Sequence, residues 1–582
     1  MPGSRTIPTI IGTANFKLVI NNNELPNTTN LLAVQVWHAI NKIPTASLTL
    51  LDASASGEIF ALSNGEDFLP GNTIEIRAGD VEEQQTIFSG IIIKHSLRLR
   101  NSMAPELLVQ CRHILYKSTL TRKNKVYLNA TDSDNITSLV TAYAGRIAVD
   151  GDSITVTHRE MVQFNCTDWD FLLSRAQASG LVIMVQPDAI EIKKPLNSGT
   201  ADYTLTYGSS LIELEAEMDG RIQYSAVTAN GWDASQQQLA SEDGSDTITE
   251  SGDFSVMDIS DAMAAEALVL NSGAALPAPE LKAWADAQQQ KNKLSKIRGR
   301  AYIDGMTDFK LGGLVTINGA SNRFGGNAWI SAIGQQYDMS NGWKTHLQFG
   351  DDPACWLEQN QTAGAPAAAA LLPAVEGLQI GLVQALEGDP GGESRVQVKI
   401  PIMGADAEPF WARIAQADAG SNRGLFFRPE IGDEVVLGFL NSDPRHAVIL
   451  GGLHSSANTP PLTPADANNQ KGLTSRSGIT WIIDDDKKEL LITTPGGNKI
   501  TISDDAQGIT LEDMSSNKIE MTPQGIKIQT TAKLELAAGQ LVIGGTSVAI
   551  SADGSGEFKA NGSMSVQASG TVEIKGAMVN IN

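Results

Sequence analysis

The sequence contains few of the residues on which catalysis, metal binding and disulfide frameworks depend. Its 582 residues include only three cysteines, Cys111, Cys166 and Cys355, which are too scattered for a disulfide framework or a metal knuckle. The seven histidines are dispersed, and only His446 and His454 fall within one small predicted domain. No G-x-S-x-G elbow, H-E-x-x-H helix or Walker-type phosphate loop is present. We therefore expect a protein that is not an enzyme and that holds no metal or other cofactor.

Cationic residues and long apolar runs are also scarce. The formal net charge is −23, which argues against nucleic acid as a main partner, since phosphate binding needs clustered lysine and arginine. The basic stretch Lys117–Lys125 is the main exception, and a solvated loop or an intersubunit ion-pair surface explains it better. No run of about 18 apolar residues and no apolar signal-peptide core is present. We therefore expect the chain to fold in a reducing cytoplasm without a cleaved signal peptide.

What the sequence does contain is glycine and short apolar segments. Aromatic residues are 5% of the chain and glycines number 54, which is typical of turn-rich β structure. From Trp481 onwards, apolar–x–apolar triplets recur about every 7–10 residues, separated by turn-forming residues. The triplets are Trp481/Ile483, Leu490/Ile492, Ile500/Ile502, Ile509/Leu511, Ile519/Met521, Ile526/Ile528, Leu534/Leu536, Leu541/Ile543, Val548/Ile550, Met564/Val566, Val572/Ile574 and Val579/Ile581.

Each triplet reads as a very short strand with one buried face. A strand that buries two side chains does not offset the entropy of ordering its turns, so we interpret the triplets as strands that identical chains interleave around one axis. The alternative is an antiparallel meander of a single chain. We disfavour it because sheet strands usually run to about 5–6 residues, and the triplets are shorter than that. The spacing shortens along the segment, which predicts a needle that narrows toward its C-terminal end.

The remainder of the chain divides by composition into four segments. Residues 1–358 read as β-rich, with two barrel-like subdomains and helical insertions, and residues 359–374 as a linker. Residues 375–455 contain five strand-like runs that predict a small closed barrel of the OB type, and residues 456–470 form a second linker before the needle at 471–582. The predicted helices are Ile136–Tyr143 with Asp134 as N-cap, Trp169–Ala178 with Thr167 or Asp168 as cap, and Pro279–Lys296.

The barrel segment carries a specific motif. Residues 426–444 and 447–454 resemble the OB-barrel signature of the valine-glycine repeat (VgrG) family, with Pro429, Gly432, Asp433, Glu434 and Gly451 at signature positions. Stretches of the N-terminal segment look like the hub domains of the same family. These stretches are Phe88–Ile91, Val162–Phe164, Asp168–Leu172 with Arg175, Gly180-Leu181 and Val227–Asp233.

The resemblance implies a mainly β fold with some α structure: hub domains of barrel type, an OB-fold barrel and a C-terminal intertwined trimeric β-prism. It also implies a homotrimeric central spike of a contractile injection machine, joining an inner tube and baseplate to a membrane-puncturing tip. A PAAR-type tip protein, effector cargo and transient contact with a target membrane are the further implied partners. Neither an effector domain nor the muramidase insert of some phage spikes is recognisable, which favours a spike without enzymatic activity.

We expect the last strands to form the end on which the tip protein sits, with Val572, Ile574, Val579, Ile581 and Asn582 at that contact. The resemblance implies a particle that is released extracellularly or fired across an envelope, and it leaves open the type VI, extracellular-particle and phage-tail machines. A trimeric tailspike that binds or degrades cell-surface glycan is the alternative. Glycan clefts need aromatic platforms, and Phe558 is the clearest aromatic residue after Trp481, which disfavours it.

Overall fold

A computed structural model describes residues 5–6, 15–26, 30–52, 60–80, 83–101, 103–143, 146–150, 156–196, 198–233, 236–272, 276–360, 364 and 367–581. The chain forms two compact units, one of residues 1–377 with 439–447 and the other of residues 378–438 with 448–582. Strands dominate both units, which confirms the predicted mainly β fold with some α structure. Among the described residues, no helix is both long enough and apolar enough to cross a bilayer.

The first unit begins with strands that alternate buried and partly exposed side chains. In the longer strands this alternation gives one face toward the core, formed by residues such as Val36, Leu48, Ile76, Phe88 and Leu107. The strands are β1 (Arg5–Thr6), β2 (Asn15–Ile20), β3 (Asn23–Glu24), β4 (Leu31–Ala39), β5 (Thr45–Leu51), β6 (Thr73–Gly79), β7 (Gln84–Arg98) and β8 (Glu106–Arg112).

A mixed layer follows, in which two helices pack on short strands. After a 3-10 helix at Ile114–Thr119, its elements are β9 (Arg122–Thr131), α1 (Asp132–Thr141), β10 (Ile147–Val149), β11 (Thr157–Thr167), α2 (Asp168–Ala178), β12 (Val182–Val185) and β13 (Ile190–Lys193). Strands β9 and β11 pair only with each other, as an antiparallel ribbon, within the described part of the chain.

The caps of both helices are threonines. Thr167 caps α2 by accepting a hydrogen bond from the Asp170 N–H, as predicted. For α1 the prediction that Asp134 is the N-cap is wrong, because Thr131 is the N-cap. The Thr131 hydroxyl oxygen accepts from the Asp134 N–H, and the carboxylate of Asp134, the third helical residue, accepts from the Thr131 N–H. The two residues form a capping box. An acidic residue before an apolar run does not by itself show whether that residue is the N-cap or the third helical residue of a capping box.

An insertion then packs a small sheet on a long helix. Two strands of the large sheet precede it, β14 (Tyr203–Thr206) and β15 (Glu213–Met218). The elements of the insertion are β16 (Val227–Asp233), β17 (Gln238–Asp243), α3 (Val256–Met263), β18 (Leu268–Ser272) and α4 (Ala278–Ser295). Strand β16 lies between β17 and β18, and Ala229 packs against Leu281 and Ala285 of α4. Helix α4 confirms the predicted helix, whereas α3 was not predicted.

The remaining strands of the unit complete one 14-stranded sheet. They are β19 (Ile297–Asp304), β20 (Leu314–Asn318), β21 (Gly326–Asp338) and β22 (Gly342–Phe349), and they are followed by α5 (Trp356–Gln359) and a 3-10 helix at Ala367–Ala370. Strand β21 pairs with β4, β20 and β22, so it joins the N-terminal strands to the later ones. The unit therefore has two β-rich cores on one continuous sheet.

The second unit begins with the closed barrel, whose strand order β23-β24-β25-β29-β28 confirms the predicted five-stranded OB-type barrel. Its strands and the small hairpin between them are β23 (Gln379–Ala385), β24 (Val396–Lys399), β25 (Phe410–Ile414), β26 (Ala419–Gly420), β27 (Arg423–Gly424), β28 (Glu434–Phe439) and β29 (Ala447–Gly452). Val383, Val396, Val398, Val435 and Leu437 fill the interior and are fully buried.

A seven-stranded antiparallel meander follows, with each strand paired to the next in the chain. Its strands are β30 (Gln470–Thr474), β31 (Thr480–Asp484), β32 (Glu489–Thr493), β33 (Lys499–Ser503), β34 (Gly508–Glu512), β35 (Lys518–Thr522) and β36 (Gly525–Gln529). The interpretation of the triplets up to Ile528 as strands paired only through other chains is therefore wrong. Each triplet is the centre of a five-residue strand, because polar residues on either side extend the backbone ladder.

Candidate assembly surface

The meander collects its apolar triplets on one face. Across the ladder Trp481 pairs with Ile492, Ile492 with Ile500, and Ile500 with Leu511, and the same register continues to Ile528. Because alternate residues of a strand point to opposite faces, the triplet side chains share one face over all six triplets. Many of them are exposed, with exposed fractions from 38% at Ile500 to 70% at Ile526. The paired strands therefore leave an apolar stripe open to solvent.

The residues between the triplet positions lie on the opposite face. Toward the C-terminal end this face carries Thr501, Thr510, Glu520 and Lys527, which follow one another across neighbouring strands. Opposite charges meet directly at the Glu520–Lys527 pair, an arrangement that suits a surface in water. The sheet thus has an apolar face and, over these strands, a polar one.

One edge of the meander is ordered by a turn that repeats every 19 residues, at 475, 494 and 513. In each copy the first residue donates its backbone N–H to the carbonyl four residues later: Ser475 to Ile479, Thr494 to Asn498 and Asp513 to Asn517. The side-chain oxygen of Asn498 also accepts from the Met514 N–H, and that of Asn517 from the Thr531 N–H. Asn498 therefore connects the second turn to the third, and Asn517 connects the third turn to the residues that follow the last strand.

Beyond the meander the chain carries its apolar triplets without strands of its own. No residue from 531 to 581 lies in a helix or a strand. The triplet side chains of this segment are exposed, with fractions from 47% at Val579 to 84% at Ile581. They include four of the predicted tip-contact residues, Val572, Ile574, Val579 and Ile581, whereas Asn582 lies outside the described residues.

Four of the signature residues of the barrel form the turn that feeds β28. Gly432 has a φ of +93°, a conformation that favours glycine. Its N–H donates to the Val383 carbonyl, and the Asp433 carboxylate accepts from the Glu430 N–H. Pro429 is part of this turn and Glu434 opens β28.

Gly451, the fifth signature residue, lies apart from that turn. It is exposed near the end of β29, two positions before Leu453, whose N–H donates to the Glu434 carbonyl. The structure therefore brings Pro429, Gly432, Asp433 and Glu434 together at the start of β28. Gly451 lies on β29, which pairs with β28 in the barrel.

The loop before this turn presents two aromatic side chains to solvent. Phe426 is 79% exposed and Phe427 is 55% exposed. Beside them the Arg428 guanidinium donates from Nη1 to the Ser394 carbonyl and from Nη2 to the carbonyls of Leu386 and Arg395, at 2.9–3.0 Å. This anchor holds the loop against the barrel while the phenylalanines point away from the core. No sequence pattern indicates this exposure, because two adjacent phenylalanines within a barrel segment resemble core residues.

Comparison with known families agrees with this arrangement of domains. Residues 379–454 match the type VI secretion system/phage-baseplate injector OB domain, and residues 489–582 match the phage baseplate V C-terminal trimerisation domain. Residues 11–338, more than half of the chain, match the Alg8 N-terminal domain. The chain belongs to the VgrG family of spike proteins and carries an Alg8 N-terminal domain. The family resemblance stated from the barrel motif is confirmed.

Individual VgrG relatives match only parts of the chain. The actin cross-linking toxin VgrG1 of Vibrio cholerae is 36% identical over 98 residues, which are 16% of this chain and 9% of that protein. The type VI secretion system spike protein VgrG1a of Pseudomonas aeruginosa is 43% identical over 68 residues, 12% of this chain and 10% of the relative. The chain thus spans about a tenth of the length of these two relatives.

Solved structures are similar over longer stretches at low identity. The c3393 protein of Escherichia coli, a type VI secretion component, is 12% identical and covers 75% of this chain and 100% of its own, with a TM-score of 0.38. A half-lidded Francisella PdpA–VgrG complex is 9% identical and covers 90% of this chain and 89% of its own, with a TM-score of 0.40.

In the first unit of this VgrG-family chain, the motif residue Arg175 belongs to a buried ion-pair network. Its guanidinium donates to both carboxylate oxygens of Asp132 at 2.9 Å, and His158 lies 3.2 Å from the same carboxylate. Burial alone would raise the pKa of Asp132, but the bonds and charges of Arg175 and His158 outweigh burial and lower it. Ser179 donates its hydroxyl to Asp132 rather than to His158, so these residues do not form a nucleophile–base pair.

The motif residue Asp168 is held in a similar way. Its carboxylate accepts from Lys123 Nζ and the Tyr143 hydroxyl at 2.6 Å and from Gln163 Nε2 at 2.9 Å. Burial would raise the pKa of Asp168, and these three donors together lower it. Both networks join helices to the β9–β11 ribbon, so Asp168 and Arg175 stabilise the fold. Among the described residues, no group of three or more histidine, cysteine, aspartate or glutamate side chains converges as a metal site would require.

Proposed function

We propose that three copies of this chain form the central spike of a contractile injection machine of the type VI or phage-tail-like kind. The observation that carries the proposal is the apolar stripe of the meander, continued by exposed triplets that have no strand partners in their own chain. A soluble protein rarely leaves so long a patch uncovered, and large exposed patches mark interaction sites.

The energetics favour association through the stripe. A large apolar side chain contributes about 1.5–3 kcal/mol when it is fully buried, and roughly half of that remains to be gained where it is half-exposed. The stripe holds more than six such side chains, including Trp481, Ile483, Ile502, Met521, Ile526 and Ile528. The nine exposed side chains of one stripe contribute about 7–13 kcal/mol on burial. Three stripes that bury one another therefore contribute about 20–40 kcal/mol, against roughly 8–30 kcal/mol for the two association steps of a trimer.

Two features favour three copies. The family matched by residues 489–582 is described as a trimerisation domain. The triplets of residues 534–581 are too short and too far apart along the chain to complete a sheet alone, and strands from other chains supply the missing backbone partners. The needle then has two parts: three meanders packed face to face, and interleaved strands beyond residue 530.

In this assembly the hub contacts the inner tube and baseplate, and the last triplets carry a PAAR-type tip protein. The spike is not an enzyme, has no cofactor and performs no turnover; sheath contraction supplies the mechanical work, and effector cargo travels with the particle across the target envelope. The alternative of a glycan-binding or glycan-degrading tailspike has no support from the comparisons with known proteins.

Mass measurement in solution tests the proposal. Light scattering or native mass spectrometry of the full chain at micromolar concentration should give three times the 61.9 kDa chain mass. A stable, fully folded monomer would overturn it. Turnover of peptidoglycan or capsular glycan by the purified protein would contradict the non-enzymatic part alone.

A further inference from the structure

A buried histidine lies where two hydrophobic cores of the first unit meet. His38, near the end of β4, is only 7% exposed. Its ring contacts the carbonyl groups of Ile87, which belongs to the core of the N-terminal strands, and of Val185, which belongs to the core of the mixed layer. The side chain therefore lies at the junction through which the mixed layer packs on the large sheet.

Both nitrogens of this ring face carbonyl oxygens. Nε2 lies 2.8 Å from the Ile87 carbonyl oxygen, and Nδ1 lies 3.1 Å from the Val185 carbonyl oxygen. Ile87 is available for this contact because the register of the β6–β7 pair shifts between Thr86 and Phe88, which leaves Ile87 without a partner on β6. A carbonyl oxygen only accepts and a neutral imidazole has one N–H, so the neutral ring satisfies one carbonyl and the imidazolium satisfies both.

The charged groups around the ring do not supply a counter-ion. His38 lines a cavity of about 510 Å³, and the charged side chains that line it as well are Arg146, Asp188, Glu191 and Lys310. Asp188 already pairs with Arg146, and both are about three-quarters exposed, so the cavity opens to water. Glu191 pairs with Lys193 at 2.6 Å. In the described part of the chain, no carboxylate is paired with the His38 ring.

The elements packed against His38 also disfavour a charge on it. Burial lowers the pKa of His38, and the contacts with the two carbonyls only partly offset this effect. His113, buried before the 3-10 helix, has its pKa lowered to about 4 by burial and by the charge of His38. Ile333, opposite His38 across the β4–β21 pair, carries no charge. The imidazolium is therefore the unfavourable form in the folded chain.

We infer that His38 is a proton-sensitive joint of the first unit: the neutral ring keeps β12 docked on β4 and β7, and protonation in acidic surroundings loosens that docking. Asn41 supplies the part of the docking that does not titrate, because it exchanges two backbone bonds with Ile183 of β12, at 2.8 and 2.9 Å. Loosening therefore weakens the junction without detaching the layer.

The pH window follows from the sign of the shift. The folded pKa of His38 lies below the unfolded value of about 6.5. Its contribution to stability is therefore fully present above about pH 6.5 and is lost as the pH falls through the folded pKa. His113 stays neutral in the upper part of this window, because its pKa is about 4.

Hydrogen–deuterium exchange of the full chain at about pH 7.5 and 5.5, corrected for the intrinsic amide rates, tests the joint. Peptides from β12 and from residues 85–88 should exchange faster at the lower pH, by up to about tenfold, because His38 in the opened state titrates near pH 6.5. Peptides from β33 of the meander should not change.

Two variants show whether the change belongs to His38. His38→Gln keeps an N–H donor but does not titrate, so its β12 peptides should exchange equally at both pH values. His95→Gln is the matched control, because His95 makes a single ring contact, from Nδ1 to the Phe68 carbonyl at 3.0 Å. This control should keep the faster exchange of β12 at low pH.

A measurement on the wild type alone keeps the test decisive if His38→Gln does not fold. Exchange of the imidazole Cε1 hydrogen, followed by mass spectrometry from about pH 5 to 9, gives the pKa of His38 directly. A pKa at or above the unfolded value, or equal β12 exchange at both pH values in the wild type, would overturn the joint. Acid-induced exchange that persists in His38→Gln would overturn it as well, since another group would then be responsible.

Discussion

Arg428 shows how one side chain fixes a surface that its neighbours form. Its three bonds to carbonyls tie the loop to the barrel, and the guanidinium also lies 5.9 Å from the ring centre of Phe426. The loop can therefore keep two phenylalanines in solvent without collapsing onto the barrel. Residues like this are invisible to pattern analysis, because an arginine in a loop looks the same whether it is solvated or anchored.

Arg428→Met should lower the free energy of unfolding of the barrel by about 1.5–3 kcal/mol, because it removes charge-assisted hydrogen bonds to three carbonyls. Arg423→Met is the matched control, since Arg423 pairs with Asp418 on the exposed hairpin and should cost under about 1 kcal/mol. Denaturant unfolding of both variants at equal chain concentration measures the difference. Equal losses would show that Arg428 is not an anchor.

The Asp132–Arg175 pair makes the stability of the first unit depend on pH. The folded pKa of Asp132 is lowered relative to the unfolded value of about 3.9, so its contribution is fully present above about pH 4 and is lost as pH falls further. Asp132→Asn should cost about 3 kcal/mol at pH 7, because it breaks a buried pair, and the cost should shrink below pH 4.

Urea unfolding of wild type and Asp132→Asn between pH 3 and 7 measures this dependence. Asp188→Asn is a suitable control, because Asp188 and Arg146 form an exposed pair that should contribute little at any pH. A constant gap between wild type and Asp132→Asn across the range would contradict the linkage.

Among the elements, the meander shows what the sequence could and could not predict. The triplets located the strands and their apolar face correctly, because period-2 alternation is a property of the residues themselves. Strand length was underestimated, since Lys499 and Ser503 continue the ladder around Ile500 and Ile502 through backbone bonds that carry no hydrophobic signal. Because each strand has five residues rather than three, neighbouring strands of the same chain pair along their whole length.

A charge on the apolar stripe should disrupt the assembly. Ile502→Glu places a carboxylate on the stripe that the proposed trimer buries and should cost about 2–3 kcal/mol per chain. Thr510→Glu, on the opposite face of the neighbouring strand, should leave the association unchanged. Light scattering over a dilution series compares the two variants, and equal trimer mass at every concentration would remove the stripe from the interface.

Two residues of the hub-like stretches were singled out from the sequence, but their role in the structure was not predicted. Asp168 and Arg175 stood out as family-like residues, and the structure places each in a buried network rather than at a partner surface. Helix α3 was missed altogether. A short amphipathic helix between polar segments lacks the length over which periodicity becomes clear.

For the whole molecule, the two parts of the needle should separate in function. Removal of residues 572–582 should abolish binding of a PAAR-type tip protein while the trimer mass, set by the stripe and the remaining triplets, stays the same. Pull-down of the tip protein combined with light scattering tests both halves of the statement. Unchanged tip-protein binding would show that Val572, Ile574, Val579 and Ile581 do not form the contact. Loss of the trimer would show that these residues are needed for assembly.

The repeating turn of the meander also sets a unit of length. Neighbouring strands lie about 4.8 Å apart, so seven strands extend about 29 Å, and each 19-residue repeat, which holds two strands, adds about 10 Å. Insertion or deletion of one whole repeat keeps the register of the apolar stripe and the asparagine connections. Reach can therefore change in fixed steps, through duplication of a short stretch of coding sequence, without altering either the barrel or the tip.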